Sequence, residues 1–199
     1  MFPFIETIKL LDGELKNLSW HQERLERTRF EVLGLDEHPE LLLEIPVPDG
    51  LDRGLFKCRV LYGEVIERIE YEPYYHPDIH SLKLVRSDSI SYGYKSADRS
   101  DLDALYAQKG DCDDILIVKN GCITDSYFAN VALFDGTHWH TPDTPLLKGT
   151  MRAFLLEEGV LTEARIKENE LGDFQKIRLI NAMNSLDEGP EIVRVETGK

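Results

Sequence analysis

Cysteine is scarce in this 199-residue sequence. Cys58, Cys112 and Cys122 make an odd count, and no CxxC pair occurs. That argues against a disulfide framework or a zinc site built on paired cysteines, and leaves reduced thiols as the expectation. Long apolar runs are missing too. No stretch approaches the roughly 18 apolar residues of a membrane-spanning helix. The opening MFPFIETIKLLDGE has no basic region followed by an apolar core, so it does not read as a signal peptide. Positive charge is short: 23 Lys and Arg stand against 37 Asp and Glu, a formal net charge of -14. Such a surface repels nucleic acid and anionic membranes, so any anionic ligand must be met by local positive charge. Neither GxGxxG nor GxxxxGK[ST] occurs, so nucleotide binding has no motif support. There is no internal repeat and no low-complexity tract. These absences describe a soluble, bacterial-type cytoplasmic protein.

What is present suits a globular chain: 42% hydrophobic residues and length enough for a core in one or two domains. FIETIKLLDGEL predicts a strand turning at Asp12-Gly13. LSWHQERLERTRFEVLG predicts a helix capped by Ser19, with Gln22 completing a capping box. Trp20, Leu25, Thr28 and Val32 fall along one face, and Gly34 stands past the end. The Pro- and Gly-rich stretch 36–54 predicts a short helix and a loop, and LFKCRVLYG with GEVIERIEYEP a hairpin around Gly63-Glu64. A boundary is expected near residues 76–90, giving a smaller N-terminal α/β domain over 1–85 and a C-terminal domain over 86–199. There Ser96 or Ser100 is expected to cap a helix whose first turn carries Asp101 and Asp103. Asn120-Gly121 and Asp135-Gly136 are hairpin signals, so 113–142 reads as an antiparallel meander. PLLKGTMRAFLLEEG predicts a helix opening near Thr150 and stopping at Gly159, followed by strand, short helix and strand. Meander strands with interleaved helices predict an α+β fold rather than a doubly wound sheet.

Within the meander, GCITDSYFANVALFDG sets Asp125 and Asn130 among strand residues, where unpaired polar groups are costly. A solvated edge or a bound ligand would account for them. Five residues apart, they fall on opposite faces of a regular strand and serve one site only across a bulge or turn. Lys95, in SYGYKSADR, is either one more solvated charge or a buried amine able to form a Schiff base. KGTMR puts Gly149 and Thr150 at a helix start, which is an ordinary cap or a phosphate site made of N–H groups. Arg24, in HQERL, belongs to a solvated face or offers its fork to a phosphate. His76 and His80, and His138 and His140, lack a clear third ligand, so no metal is expected. Cys58 and Cys122 are most simply small core residues.

The order and spacing of these segments resemble the class IV pyridoxal-phosphate enzymes: branched-chain aminotransferases, D-amino acid aminotransferases and 4-amino-4-deoxychorismate lyase. FIETIKLLDGELKNLSWHQERLERT, with HxxRL at His21 to Leu25, is similar to the family's opening strand and helix, and LFKCRVLYG to the strand after it. YKSADRSDLDALY is similar to the segment of the Schiff-base lysine, ITDSYFANVALF to the Glu-x4-Asn-Leu/Ile-Phe stretch, and TPLLKGTMRAFLLEEG to the loop and helix at the cofactor phosphate. RLINAMNSL is similar to the closing strand and turn. The resemblance implies the two-domain fold-type IV architecture of D-amino acid aminotransferase. The N-terminal domain would be trimmed, since the family's glycine-rich segment before FIETI is missing.

The resemblance further implies pyridoxal 5′-phosphate as cofactor, an amine or amino acid as substrate, and a homodimer. Lys95 would be the catalytic Schiff-base lysine. Arg24, the peptide nitrogens near Gly149, Thr150 and Met151, and Asn181 with Ala182 would hold the phosphate. Asp125, one methylene shorter than the family's glutamate, would pair with the pyridine nitrogen, and Asn130 is the asparagine of that motif. Arg99 matches an arginine common in lyase-like members, with no role assigned. The implied activity is that of the lyase of folate biosynthesis, giving 4-aminobenzoate and pyruvate. Transamination of branched-chain or D-amino acids with a 2-oxo acid is the alternative, and a non-catalytic ligand-binding relic a third.

Overall fold

Asp12 and Gly13 both take positive φ, 49° and 80°, so strand β1 (Phe4–Leu11) folds straight back into β2 (Glu14–Leu15). Two left-handed residues give the hairpin turn whose twist matches that of its strands. β1 pairs antiparallel with β3 (Leu55–Tyr62), which pairs with β4 (Ile66–Pro73), making a sheet of order β2-β1-β3-β4. The structure, a computed structural model, describes residues 4–197, the side chains of 42 and 43 apart.

Helix α1 (Leu18–Thr28) covers this sheet, and its Leu25 packs with Phe4, Ile8, Cys58, Val60 and Tyr62. Ser19 is not its cap. Asn17, in left-handed conformation, precedes the first turn, and Ser19 lies inside it. Gln22 makes no capping box either. Its amide ties down the following loop and the short helix α2 (Leu41–Glu44), donating to Pro39 O (3.0 Å) and accepting from Leu41 N (2.9 Å). A π-helical segment, Arg29–Leu33, carries the chain to Gly34, where a φ of 67° ends it. The wider π turn breaks the 3.6-residue period. Val32 therefore leaves the buried face expected for it and is 43% exposed. The buried face consists of His21, Arg24, Leu25 and Thr28.

The chain divides into two compact units. One ends at Tyr75 and takes back Tyr94–Asp98; the other holds His76–Gly93 and the chain from Arg99 onward. Tyr94–Asp98 joins the first unit through backbone: Ile5 N donates to Lys95 O (3.0 Å), and Phe4 bridges Ser96.

In the second unit the described residues form a nine-stranded sheet. Its strands are β5 (Ser81–Arg86), β6 (Asp114–Lys119), β7 (Cys122–Ser126), β8 (Asn130–Phe134), β9 (Trp139–Pro142), β10 (Leu161–Ala164), β11 (Lys176–Ile180), β12 (Glu191–Ile192) and β13 (Arg194–Glu196). β6 to β9 run as the expected antiparallel meander, while β5–β6, β5–β13 and β9–β10 pair parallel. Helix α3 (Ser100–Tyr106) has Asp101 and Asp103 in its first turn but no side-chain cap. Ser100 is already helical, and Ser96 Oγ accepts from Asp98 N (3.1 Å) before the helix begins, so neither serine is the cap. α4 (Thr150–Glu157) follows Gly149. Leu102 and Leu105 of α3 pack with Val85, Ile115, Ile117 and Leu146; Met151 and Leu155 of α4 pack with Ala132 and Ile180. The architecture is α+β. Among the described residues no helix is long and apolar enough to cross a membrane.

Candidate active site

Phe4, Glu6, Ile8 and Leu10 share one face of β1 by the two-residue strand period, and all four are buried. A carboxylate in that row needs partners, and α1 supplies them. His21 and Arg24, three residues apart, present neighbouring side chains. Arg24 Nε donates to Glu6 Oε1 (2.9 Å) and Nη2 to Oε2, while His21 Nδ1 contacts Oε2 at 2.6 Å. Burial pushes the Glu6 pKa up. The charge of Arg24 and the hydrogen bonds from His21 and Arg24 outweigh it, so the carboxyl is lowered to about 2. Burial pushes His21 down, against the hydrogen bond and charge of Glu6, and the charges of Arg24 and Lys95 push the same way. The imidazole is therefore neutral, and its proton sits on Nδ1, the nitrogen facing the ionised carboxylate. Lys95 is half-buried, held beside β1 by its own carbonyl, and its charge is felt at the His21 ring.

In the second unit, Asp125 and Asn130 stand directly opposite each other across the turn joining β7 and β8, which Ser126 N closes on Ala129 O (2.8 Å). The odd separation is thus resolved by a turn. Asn130 Nδ2 donates to Asp125 Oδ1 and to Leu147 O, both at 2.8 Å, and Leu147 N donates to Asp125 Oδ2 at 2.8 Å. Gly149 comes next. A Cβ there would lie 2.0 Å from Asn130 Oδ1, while its φ of -70° suits any residue, so the glycine is required by space alone. On the far side of β8, Asn130 pairs with Ile180 of β11, and Ile180 packs with Met151. Asn181 then opens a turn, its Oδ1 accepting from Met183 N (2.9 Å) and Asn184 N (3.0 Å). One row across three strands thus gathers Asp125, Asn130, the Asn181–Asn184 turn, with half-buried Ala182, and the first turn of α4. Thr150 and Met151 are buried there.

Burial lifts the Asp125 pKa to about 6, against the Leu147 N–H, the Asn130 amide and the charge of Arg152. Arg152 itself is engaged elsewhere, by Pro142 O (2.8 Å) and Glu163 Oε1 (2.6 Å). Among the described residues no cationic side chain forms an ion pair with Asp125. A buried carboxylate without a cation, next to a helix N-terminus with its partial positive charge, suits a ligand bearing a cationic ring atom and an anionic group.

Of the residues singled out in the sequence, Asp125, Asn130 and Gly149 are in direct contact, with Thr150, Met151 and Asn181 alongside. Arg24 and Lys95 lie in the first unit, both beside His21. Sequence reasoning missed Glu6, His21 and the Leu147 peptide. For Glu6 and His21 a signal was present: a carboxylate on the apolar parity of β1, followed by His-x-x-Arg on one helix face.

The chain matches the family described as amino-transferase class IV over residues 4–187. An uncharacterised protein of Haemophilus influenzae is 38% identical over 188 residues, which are 94% of this chain and the whole of that protein. The crystal structure of a provisionally named 4-amino-4-deoxychorismate lyase from Haemophilus somnus 129PT superposes with a TM-score of 0.89 at 36% identity, covering 94% of this chain and 98% of that one. A hypothetical aminotransferase from Mycobacterium tuberculosis, in its pyridoxal-phosphate-bound form, shares the fold at a TM-score of 0.73 and 17% identity, over 98% of this chain and 81% of that one. The fold is that of the fold-type IV enzymes, whose cofactor is pyridoxal 5′-phosphate, and the chain belongs to the class IV aminotransferase family.

Proposed function

We propose that this chain is a pyridoxal-phosphate-dependent lyase that cleaves 4-amino-4-deoxychorismate to 4-aminobenzoate and pyruvate. Asp125 carries the cofactor assignment: a buried carboxylate with no counter-ion among the described residues is complementary to a protonated pyridine nitrogen. Gly149 lets the Asn130 side chain close on the start of α4, and the unpaired N–H groups of that helix start suit a phosphate. The choice of lyase rests on the 36% identity, across nearly the whole of both chains, to the provisionally named lyase of Haemophilus somnus.

Bound pyridoxal phosphate supplies an electron sink for charge developing on the carbon that bears the substrate amine. The chain's own residues do the rest. Lys95 would be the attachment amine, and its Nζ would take up the proton at that carbon. Asp125 keeps a proton on the ring nitrogen. Asn130 and the Leu147 peptide fix the carboxylate so that no reorganisation is needed. Arg24, held by its bidentate bond to Glu6, would bind the phosphate. The Gly149, Thr150 and Met151 peptides and the Asn181–Ala182 turn would also bind it. Neutral His21 binds Glu6 without adding a second positive charge next to the lysine that must lose one. The working unit is a homodimer.

Purified protein given pyridoxal phosphate should gain a visible absorption band, and borohydride followed by peptide mapping should fix the label on Lys95. Lys95→Ala should lose band, label and turnover together. Holoenzyme given aminodeoxychorismate should release 4-aminobenzoate. Glutamate formed from amino acids and 2-oxoglutarate, without that product, would replace the lyase by a transaminase. Protein that stays colourless would leave only a ligand-binding relic.

A further inference from the structure

Arg99 stands apart from the other shielded arginines. Arg24 pairs with Glu6, Arg152 with Glu163 and Arg178 with Glu191, and Arg29 is taken up by the carbonyls of Gly63 and Glu37. Arg99 is half-buried, yet among the described residues it has no carboxylate within ion-pair distance, in a chain with 37 acidic residues. Its guanidinium lies over two tyrosine rings, 4.3 Å from the centroid of Tyr127 and 5.8 Å from that of Tyr92. Its one hydrogen bond among the described residues runs from Nη2 to Tyr127 O (2.6 Å). Of the acids nearby, Asp103 accepts from the Tyr127 hydroxyl (2.6 Å), and buried Asp114, whose Oδ1 accepts from the Ile115 N–H (2.7 Å), feels the Arg99 charge but forms no ion pair with it. The platform is stiff, because Tyr127 also packs on Tyr106 with centroids 4.4 Å apart. It is also near the candidate site: Tyr127 belongs to the turn between Asp125 and Asn130.

A guanidinium with its face on aromatic rings keeps its N–H edge for a planar, two-oxygen acceptor. With a net charge of -14 around it, such an acceptor from outside would find few other cations. We propose that Arg99 is a substrate-specificity residue, binding the carboxylate of a planar ring acid through its unpaired edge while Tyr127 and Tyr92 flank it. This rests on the lyase reading and gives that reading its recognition of the ring carboxylate.

The test is binding of 4-aminobenzoate against 4-aminobenzamide, which differ in the carboxylate alone, by calorimetry on holoenzyme. Wild type should prefer the acid by roughly tenfold or more. Arg99→Met should bring the ratio to about one, and Arg99→Lys should restore part of it, each keeping the visible band and the thermal melt of wild type. A purely structural Arg99 would shift the melt or the band and leave the acid-to-amide ratio of Arg99→Met as in wild type, which overturns the proposal. A wild type that does not distinguish acid from amide overturns it as well. The two readings fail separately. If wild type releases 4-aminobenzoate but Arg99→Met keeps the preference, only the Arg99 assignment falls. If wild type shows an Arg99-dependent preference but no lyase turnover, the carboxylate site stands and the lyase falls.

Discussion

Glu6 and Asp125 are both buried carboxylates set in strands, and they come out oppositely. Glu6 is held near pKa 2 because the chain brings a guanidinium and an imidazole N–H to it. Asp125 is lifted to about 6 by burial, because its partners are dipoles, the Asn130 amide and the Leu147 N–H, and among the described residues no cation pairs with it. Desolvation weighs on both in the same direction. The difference teaches where the missing charge is meant to come from. In the first unit it comes from α1, so the ion pair is complete before anything binds. In the second unit the carboxylate is shaped and hydrogen-bonded but electrically unfinished, which is what the proposed pairing with a cationic ring requires.

Breaking the finished pair should have the largest effect. Glu6→Ala leaves Arg24 charged, buried and unmatched, and should destabilise the protein by about 3–5 kcal/mol, read from urea unfolding at neutral pH. Replacing both partners with apolar residues, Glu6→Leu with Arg24→Met, should recover most of that loss, because a well-packed apolar pair substitutes for a buried ion pair. The double variant should fold but bind pyridoxal phosphate weakly. A Glu6→Ala protein within about 1 kcal/mol of wild type would mean that water reaches Arg24 and that the two carboxylates differ less than their surroundings imply.

The unfinished site should be visible in the pH dependence of stability. The Asp125 pKa is raised from 3.8 to about 6 on folding, so the folded protein holds that proton more tightly. Its contribution is fully present below pH 3.8 and is lost as pH rises through about 6. Asp114, also raised to about 6 by burial, adds the same sign, while Glu6 opposes only as pH falls below its unfolded value of 4.5. Two pKa units correspond to roughly 3 kcal/mol. Asp125→Asn should therefore flatten the rise in stability between pH 6 and 4.5, measured by thermal melts of cofactor-free protein. On the proposed reading, saturating pyridoxal phosphate flattens the wild-type curve in the same window, because the ring supplies the cation. A wild-type curve already flat there would show that Asp125 is not the strained partner.

The two regions were unequally legible in the sequence. Asp12-Gly13 and Asn120-Gly121 announce their turns because both positions need positive φ, and the second of them, with Asp135-Gly136, marks the meander. Asp125 and Asn130 stood out as polar residues in an apolar run, and their odd spacing demanded a turn. What that turn accomplishes depends on Leu147, a backbone N–H that any residue carries and that no side-chain pattern marks. The same holds for Tyr94–Asp98, which returns to the first unit by backbone pairing with β1. The α1 cap was misplaced because Asn17 works through left-handed backbone rather than a side-chain bond, and the π turn moved Val32 off a face that a 3.6-residue period assigns to it. Glu6 was readable by parity, but only as an oddity until its partners were known.

Gly149 gives the finest test, since it asks whether Asn130 or the backbone dictates the glycine. Its φ is ordinary, so Gly149→Ala carries no conformational strain and collides only with Asn130 Oδ1. The cost should be about 1–3 kcal/mol as Asn130 or the 147–149 loop gives way. The moved amide should also loosen its hold on Asp125, lowering cofactor affinity beyond the stability loss. Asn130→Ala alone removes two hydrogen bonds and should cost about 1–2 kcal/mol. Combined, the two substitutions should cost less than their sum by at least about 0.5 kcal/mol, because alanine at 130 removes the atom that the new methyl strikes. Strict additivity in that cycle would detach the glycine from Asn130. The close approach of the loop would then have to be explained by the phosphate site itself rather than by the dipoles that hold the second carboxylate.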